Sequence, residues 1–235
     1  MKPYIKTGLL FTAGAGLTMA LISAGTWSAL PATGDVPVHW GIDGTPDRFG
    51  SRSEAAIALF ALPVITVLTG LVLAFAPALD PRKLNLERGQ RAYLATWISV
   101  LALLVLVHGG IARMMAAGPA SESGGFIRWV IAGCALMFIV IGNYLPKTRS
   151  SFFFGIRTPW TLSSDTAWEK THRFAGRLFM LAGALGLAGA FLFNGIWLAL
   201  QLSALVLGAA LISIVYSYFA WKNAGDRDDG TGLTV

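Results

Sequence analysis

Long apolar runs separated by shorter polar stretches make up most of this chain of 235 residues. A helix needs about 20 mostly apolar residues to cross a membrane, where helices and closed barrels are the structures that satisfy their own backbone hydrogen bonds. Six runs are long enough, so the pattern predicts an all-α polytopic membrane protein with six transmembrane helices. The predicted spans are Thr7–Leu30, Ala55–Ala78, Ala92–Ala112, Phe126–Leu145, Leu178–Asn194 and Ile196–Ala220.

The composition agrees with this class and narrows the chemistry. The chain is 55% hydrophobic and 13% charged, whereas an average soluble domain has about 25% charged residues. Cys134 is the single cysteine, which excludes an internal disulfide bond and a cysteine-based zinc or redox site. The net charge of +6 would suggest nucleic acid for a soluble protein. In a membrane protein the positions of the charges are the better guide, so no direct contact with nucleic acid is expected.

The Lys and Arg residues are divided unevenly between the two sides of the predicted bundle. Fourteen of the 18 lie in the N-terminal segment, in the connections after the second and fourth spans, and in the C-terminal tail. Loops rich in Lys and Arg stay in the cytoplasm. The distribution therefore predicts a multi-pass protein of the bacterial plasma membrane, surrounded by membrane lipid, with both termini cytoplasmic. The other four cations are Arg48, Arg52, Arg113 and Arg128.

The outer loop, residues 31–54, is rich in Gly and Pro and is expected to form a series of turns, with one short strand at Val36–Trp40. Imidazole and carboxylate groups can bind zinc, which raises the hypothesis of a metal site. The spacing matches no standard motif, so the favoured interpretation is that the Asp side chains cap turns and His39 packs beside Trp40. No cofactor is predicted. The candidate metal ligands are His39, Asp43, Asp47 and His108, the last from the third span.

The inner loop, residues 146–177, is polar, basic and studded with aromatic residues. Connections between helices are usually short, so a long one with this chemistry is a candidate for function. Ser163, Ser164 and Asp165 are good helix N-caps, and Thr166-x-x-Glu169 fits a capping box, which predicts a helix starting there. Its basic stripe predicts that this helix lies on the membrane surface before the chain bends into the fifth span.

Catalysis has little support in this loop. His172 is a lone histidine with no Cys or Ser nucleophile nearby and no H-E-x-x-H motif, so a recognition or structural role is favoured over an enzymatic one. A membrane-embedded metal-dependent enzyme and a small transporter stay open as alternatives. Against them, the spans contain almost no acidic residues, and the two halves show no convincing repeat.

Two stretches of the chain resemble a known family. Asn143-Tyr-Leu-Pro-Lys-Thr148, Gly155-Ile-Arg-Thr-Pro-Trp-Thr-Leu162, Trp168 and Thr171-His-Arg-Phe174 resemble the signature of the SdpI family of bacterial membrane immunity proteins. Pro37-Val-His-Trp-Gly41 and Gly44-Thr-Pro-Asp-Arg-Phe-Gly50 resemble the N-terminal module of unknown function in its longer members. The resemblance implies three parts: an N-terminal membrane module over residues 1–112, an SdpI-like module over 113–222 and a flexible cytoplasmic tail over 223–235.

The resemblance also implies a function. The protein would protect its cell from a secreted toxic peptide and would relay a signal by holding a soluble repressor at the membrane. No catalytic residue of the family is carried over, and the oligomeric state is left open. The outer loop would recognise its ligand through His39, Trp40, Asp43, Asp47 and Arg48. The inner loop would bind its partner through Asn143, Tyr144, Pro146, Lys147, Arg157, Thr158, Pro159, Trp160, Trp168, His172 and Arg173.

Overall fold

Among the residues that the computed structural model describes, six helices are long and apolar enough to cross a membrane, which confirms the predicted number. The structure describes residues 1–32, 35–41, 45–81, 83–118 and 124–227. Two short helices, α3 and α6, lie in the connections. The helices are α1 (Pro3–Ala29), α2 (Arg52–Leu79), α3 (Lys83–Arg88), α4 (Gln90–Ala117), α5 (Gly124–Tyr144), α6 (Pro159–Leu162), α7 (Asp165–Leu192) and α8 (Ile196–Lys222).

The long helices form two groups of three. In the first group α1 packs against both α2 and α4, and in the second α7 packs against both α5 and α8. Contacts between α4 and α5 join the groups. Glycine brings α7 close to α5: a Cβ atom on Gly183 would lie 2.6 Å from the carbonyl oxygen of Ala135, and one on Gly176 would lie 2.6 Å from that of Gly142. Close approach of backbones at small residues is the usual basis of helix packing in membranes.

The connections segregate to two faces of the bundle, which we name inner and outer after the predicted orientation. On the inner face Lys2 forms an ion pair with Glu87, so the N-terminus lies beside the connection between α2 and α4. On the outer face Arg128, near the start of α5, donates to the carbonyl oxygen of Ala190 and to Oδ1 of Asn194, at the end of α7. Which face meets the cytoplasm stays a prediction from the Lys and Arg distribution.

A small β-hairpin lies on the outer face, so the protein is not purely α-helical. β1 (Val36–Trp40) is the predicted strand, and it pairs antiparallel with β2 (Pro46–Gly50), which was not predicted. Val36 is 2% exposed and packs with Leu59 of α2 in a cluster at the outer end of the first group. The sequence of β2 contains Pro, Asp and Gly, which are poor strand formers, so its conformation depends on pairing with β1.

The structure corrects the expectation of a separate surface helix before the fifth span. α7 is one helix of 28 residues that begins at Asp165 and continues to Leu192. Ser164 is its N-cap and accepts from the backbone N–H of Ala167, so the Thr166-x-x-Glu169 pattern does not mark the helix start. The apolar pattern of the span and the polar pattern before it are two parts of a single helix.

The beginning of the tail is in contact with the body of the protein. Asp226 accepts from the hydroxyl of Ser164 at 2.6 Å and from the backbone N–H of Thr166 at 3.0 Å, at the start of α7. Residues 228–235 lie outside the described part of the chain, so the flexibility expected there stays a prediction.

Candidate interaction site on the inner face

His172 is the centre of the folded inner loop. Its Nε2 atom accepts from the backbone N–H of Ile156 at 2.9 Å, and its Nδ1 atom lies 2.8 Å from the carbonyl oxygen of Trp168. A backbone N–H can only donate and a carbonyl oxygen can only accept, so the imidazole is neutral and carries its proton on Nδ1. The ring is fully buried and stacks on Trp168, with centroids 3.9 Å apart. This histidine therefore holds the loop against α7.

Gly155 allows the backbone to reach His172. Its φ of +114° is rarely adopted by residues with a side chain. A Cβ atom there would lie 2.5 Å from Nε2 of His172 and 2.7 Å from the ring of Trp168. The glycine is thus required both by its backbone conformation and by the space that the two rings leave.

The segment after Gly155 is tied to α8 by a hydroxyl contact and an aromatic contact. Thr158 caps α6: its Oγ1 accepts from the backbone N–H of Thr161, and Oγ1 of Thr161 accepts from that of Thr158. The hydroxyl of Thr158 also lies 3.0 Å from that of Ser217 in α8. Trp160 packs edge-on against Tyr218, with ring centroids 5.4 Å apart. The second part of the inner loop therefore belongs to the second group of helices.

The segment before Gly155 is held by the first group of helices, through residues that the sequence interpretation missed. Asp80, directly after α2, is fully buried, and its Oδ2 accepts from the hydroxyl of Ser151 at 2.6 Å and from the backbone N–H of Phe152 at 3.2 Å. Asn85 of α3 donates to the carbonyl oxygen of Ser150 at 3.0 Å. The sequence signal for Asp80 was an acidic residue at the end of an apolar span.

A polar pocket lies where the two groups meet on the inner face. Its volume is about 380 Å³. Beside this pocket Arg149 of the loop forms an ion pair with Glu169 of α7. The lining residues are Asn85, Arg88, Arg149, Ser150, Asp165, Trp168 and Glu169.

The predicted partner-binding residues divide by exposure. Thr158, Trp168 and His172 are buried, which favours a structural role for these three over direct contact with a partner. Tyr144 and Trp160 are partly buried. The residues that remain available on the surface are Asn143, Pro146, Lys147, Arg157, Pro159 and Arg173.

On the outer face four of the five predicted recognition residues lie on the strands of the hairpin. Nδ1 of His39 is 2.6 Å from Oδ1 of Asp47 on the opposite strand, and both side chains are exposed. Arg48 is exposed and Trp40 is partly buried, whereas Asp43 lies outside the described residues. The side chain of His39 therefore pairs with an acid across the hairpin.

The predicted metal ligands are not gathered into one site by the described residues. His108 is fully buried in α4, and its Nε2 lies 3.0 Å from the hydroxyl of Ser23 and 3.1 Å from the carbonyl oxygen of Met19, both in α1. In the part of the chain that the structure describes, no three His, Cys, Asp or Glu residues are placed to hold a metal ion. His108 thus bonds to a neighbouring helix rather than to the hairpin.

Comparison with known proteins confirms the resemblance. Residues 147–217 match the model of the SdpI/YfhL protein family, and residues 15–67 match a domain of unknown function, DUF1648. Over 90 residues the chain is 33% identical to the immunity protein SdpI of Bacillus subtilis (strain 168), a match that covers 38% of this chain and 43% of that relative. No solved structure matches the chain. The SdpI/YfhL region contains the inner loop from Lys147 onward, all of α7 and most of α8.

Proposed function

Since residues 147–217 form a region of the SdpI/YfhL family, we propose that this multi-pass membrane protein is an immunity protein that protects a bacterial cell from a secreted toxic peptide. The observation that carries the proposal is the 33% identity to a protein named for immunity, together with the folded inner loop in the matched region. The buried contacts of His172, Trp168 and Thr158 all lie inside that region. The match covers less than half of the relative, so the toxin and the mode of protection are part of the proposal.

The two faces have different tasks in this proposal. The outer hairpin and the outer ends of the helices meet the membrane-active peptide, with His39, Asp47 and Arg48 exposed to it. On the inner face the exposed residues Lys147 and Arg157 contact a soluble repressor and hold it at the membrane when the toxin is present. A relay of this kind requires two states of the protein for which the toxin has different affinities.

A metal-dependent membrane enzyme and a small transporter are the alternative functions. An enzyme would need a ligand set or a nucleophile with its base, and a proton-coupled transporter would need ionisable groups along a path through the membrane. In the described part of the chain His39 and Asp47 form a pair on the surface, and His108 bonds to α1. No observation favours either alternative over immunity.

The test is survival of a sensitive bacterial host challenged with a secreted, membrane-active toxic peptide, with and without this protein at matched expression. We expect the wild type to raise survival. Arg157→Ala removes an exposed cation of the loop, whose guanidinium also donates to the carbonyl oxygen of Phe152. Lys6→Ala is the charge control, an exposed cation on the inner face outside the loop. Loss of protection with Arg157→Ala alone ties the inner loop at Arg157 to immunity.

If Arg157→Ala still protects, the exposed loop surface has the separate task of repressor capture. That task is measured by the fraction of a green-fluorescent-protein-tagged repressor that sediments with membranes from toxin-treated cells. No protection by the wild type, in cells where the protein is present in the membrane fraction, contradicts the proposed function.

A further inference from the structure

The first part of the inner loop, Ser150–Phe154, is docked onto helices of the region that precedes the SdpI/YfhL match. Besides the hydrogen bonds to Asp80 and from Asn85, Phe154 packs edge-on against Tyr93 of α4, with centroids 5.9 Å apart. These contacts follow one another along the segment. The end of α2, α3 and α4 therefore support the loop from Ser150 to Phe154.

The position of Asp80 is itself fixed by the end of α2. Pro77 lies inside α2 and has no N–H, so the carbonyl oxygen of Leu73 lacks its helical donor. The hydroxyl of Tyr93 donates to that oxygen at 2.7 Å. Tyr93 thus contacts both the last turns of α2 and Phe154 of the loop. Tyr93 therefore links the end of α2 to the loop segment.

The two parts of the inner loop meet at Gly155. From Ser150 to Phe154 the contacts outside the loop are with Asp80, Asn85 and Tyr93. After Gly155, the contacts are with His172 and Ser217. Within the loop, Arg157 donates to the carbonyl oxygen of Phe152. Since the glycine has a conformation that other residues rarely adopt, the loop changes direction between two separate supports.

From this geometry we infer that Asp80 is a positioning residue, through which the N-terminal helices set the conformation of the inner loop. Its carboxyl group accepts hydrogen bonds from the backbone N–H of Phe152 and from the hydroxyl of Ser151. With the backbone held in this way, Phe152 and Phe153 are 42% and 44% exposed on the inner face. The end of α2, α3 and α4, which precede the SdpI/YfhL match, therefore act with that region as one unit on this face. A role for this unit in signalling rests on the proposed function, whereas the positioning of the loop by Asp80 does not.

The experiment measures how often the segment opens. In a Cys134→Ala background, Ser150→Cys is a reporter whose side chain position is 2% exposed, so labelling by a maleimide in lipid nanodiscs requires local opening. Adding Asp80→Ala removes the acceptor of two hydrogen bonds. We expect the labelling rate to rise by about tenfold, the factor that corresponds to the loss of one hydrogen bond to a carboxyl group.

Three controls separate positioning from general stability. Thr158→Cys is a second buried reporter, in the part of the loop that α8 holds, and Asp80→Ala is expected to leave its labelling rate unchanged. Asp80→Asn keeps an acceptor oxygen and is expected to return the Ser150→Cys rate most of the way to the parent value. Asp226→Ala removes a different carboxyl group on the same face, bonded to Ser164, and is expected to leave the Ser150→Cys rate unchanged.

The inference is overturned if Asp80→Ala leaves the Ser150→Cys rate unchanged, or if it raises the rates of both reporters equally, since the second result means a loss of stability throughout the protein. Should Asp80→Ala fail to accumulate in membranes, two other variants are measured with the same pair of reporters. Asn85→Ala removes the donor to Ser150, and Ser151→Ala removes a hydroxyl that donates to Asp80 and accepts from the backbone N–H of Phe153. These results do not depend on any toxin, so they stand or fall separately from the immunity test.

Discussion

The hydroxyl of Ser23 in α1 lies 2.7 Å from the carbonyl oxygen of Leu59 in α2, the oxygen that Pro63 deprives of its helical donor. A proline has no N–H, and in lipid no water replaces the missing donor, so a neighbouring helix must supply it. Nε2 of His108 in α4 lies 3.0 Å from the same hydroxyl. Three helices of the first group therefore meet at one buried polar contact near the base of the outer hairpin.

Replacing Ser23 by alanine is expected to destabilise the first group of helices. The carbonyl oxygen of Leu59 would be left without its donor in a buried site, at a cost of about 1–2 kcal/mol. Ser213→Ala is the matched control, because Ser213 is also fully buried but donates to Ala209 of its own helix. The melting temperatures of both variants in detergent would be compared with that of the wild type. Equal losses for the two serines would contradict the role assigned to Pro63.

Gly155→Ala is expected to destabilise the inner loop more than a glycine replacement without close neighbours. The added methyl group meets His172 and Trp168, and the backbone conformation costs about 1–3 kcal/mol for a residue other than glycine. Gly195 also has a positive φ, of +57°, but among the described residues no heavy atom beyond the neighbouring backbone lies within 4 Å of its Cβ position, so Gly195→Ala measures the backbone cost alone. The readout is the unfolding midpoint in detergent. A smaller loss at Gly155 than at Gly195 would contradict the packing of the two rings on the loop.

The contact of Asp226 with the start of α7 is expected to depend on pH. Burial raises the pKa of Asp226, but the hydrogen bonds from Ser164 and Thr166 lower it by more, so the pKa lies below its usual value. A group with a lowered pKa contributes stability that is fully present above its unfolded pKa and is lost as the pH falls through its folded pKa. The contribution is therefore complete at pH 7 and disappears below the ordinary aspartate pKa of about 3.9.

The measurement for Asp226 is the difference in melting temperature between the wild type and Asp226→Asn across that pH range. The difference should be largest at neutral pH and should shrink in acid. In a Ser164→Ala background the same substitution should have a smaller effect, because one of the donors is gone. A difference that stays constant with pH would show that the carboxyl group does not titrate through this contact.

Arg128→Gln is expected to weaken the outer end of the second group. The guanidinium donates to Ala190 and Asn194 at the end of α7, where carbonyl oxygens lack helical donors and a positive charge is favourable. We expect a loss of about 1–2 kcal/mol in stability, measured by the midpoint of unfolding in detergent. Arg113→Gln is the control, an exposed cation on the same face. A larger effect at Arg113 would be inconsistent with capping by Arg128.

The six spans could be predicted from the sequence because the requirement is local. Each span must cover the hydrocarbon core with apolar residues and satisfy its own backbone, so a run such as Ala55–Ala78 already indicates a helix. The signature around Gly155 and His172 likewise indicated that the inner loop is the informative part of the chain. The strand at Val36–Trp40 was predicted as a short stretch among turn residues.

The contacts that organise the candidate site were decided by the tertiary structure. Trp168 and His172 have the spacing of one helix face. Whether that face is exposed depends on the path of the inner loop, and in the structure the loop covers it. Strand β2 exists through its pairing with β1 rather than through its own residues. Asp80 and Ser151 are 71 positions apart, so no local pattern joins them. Only the packing of two helical groups, each apolar on several faces, brings the end of α2 beneath the inner loop.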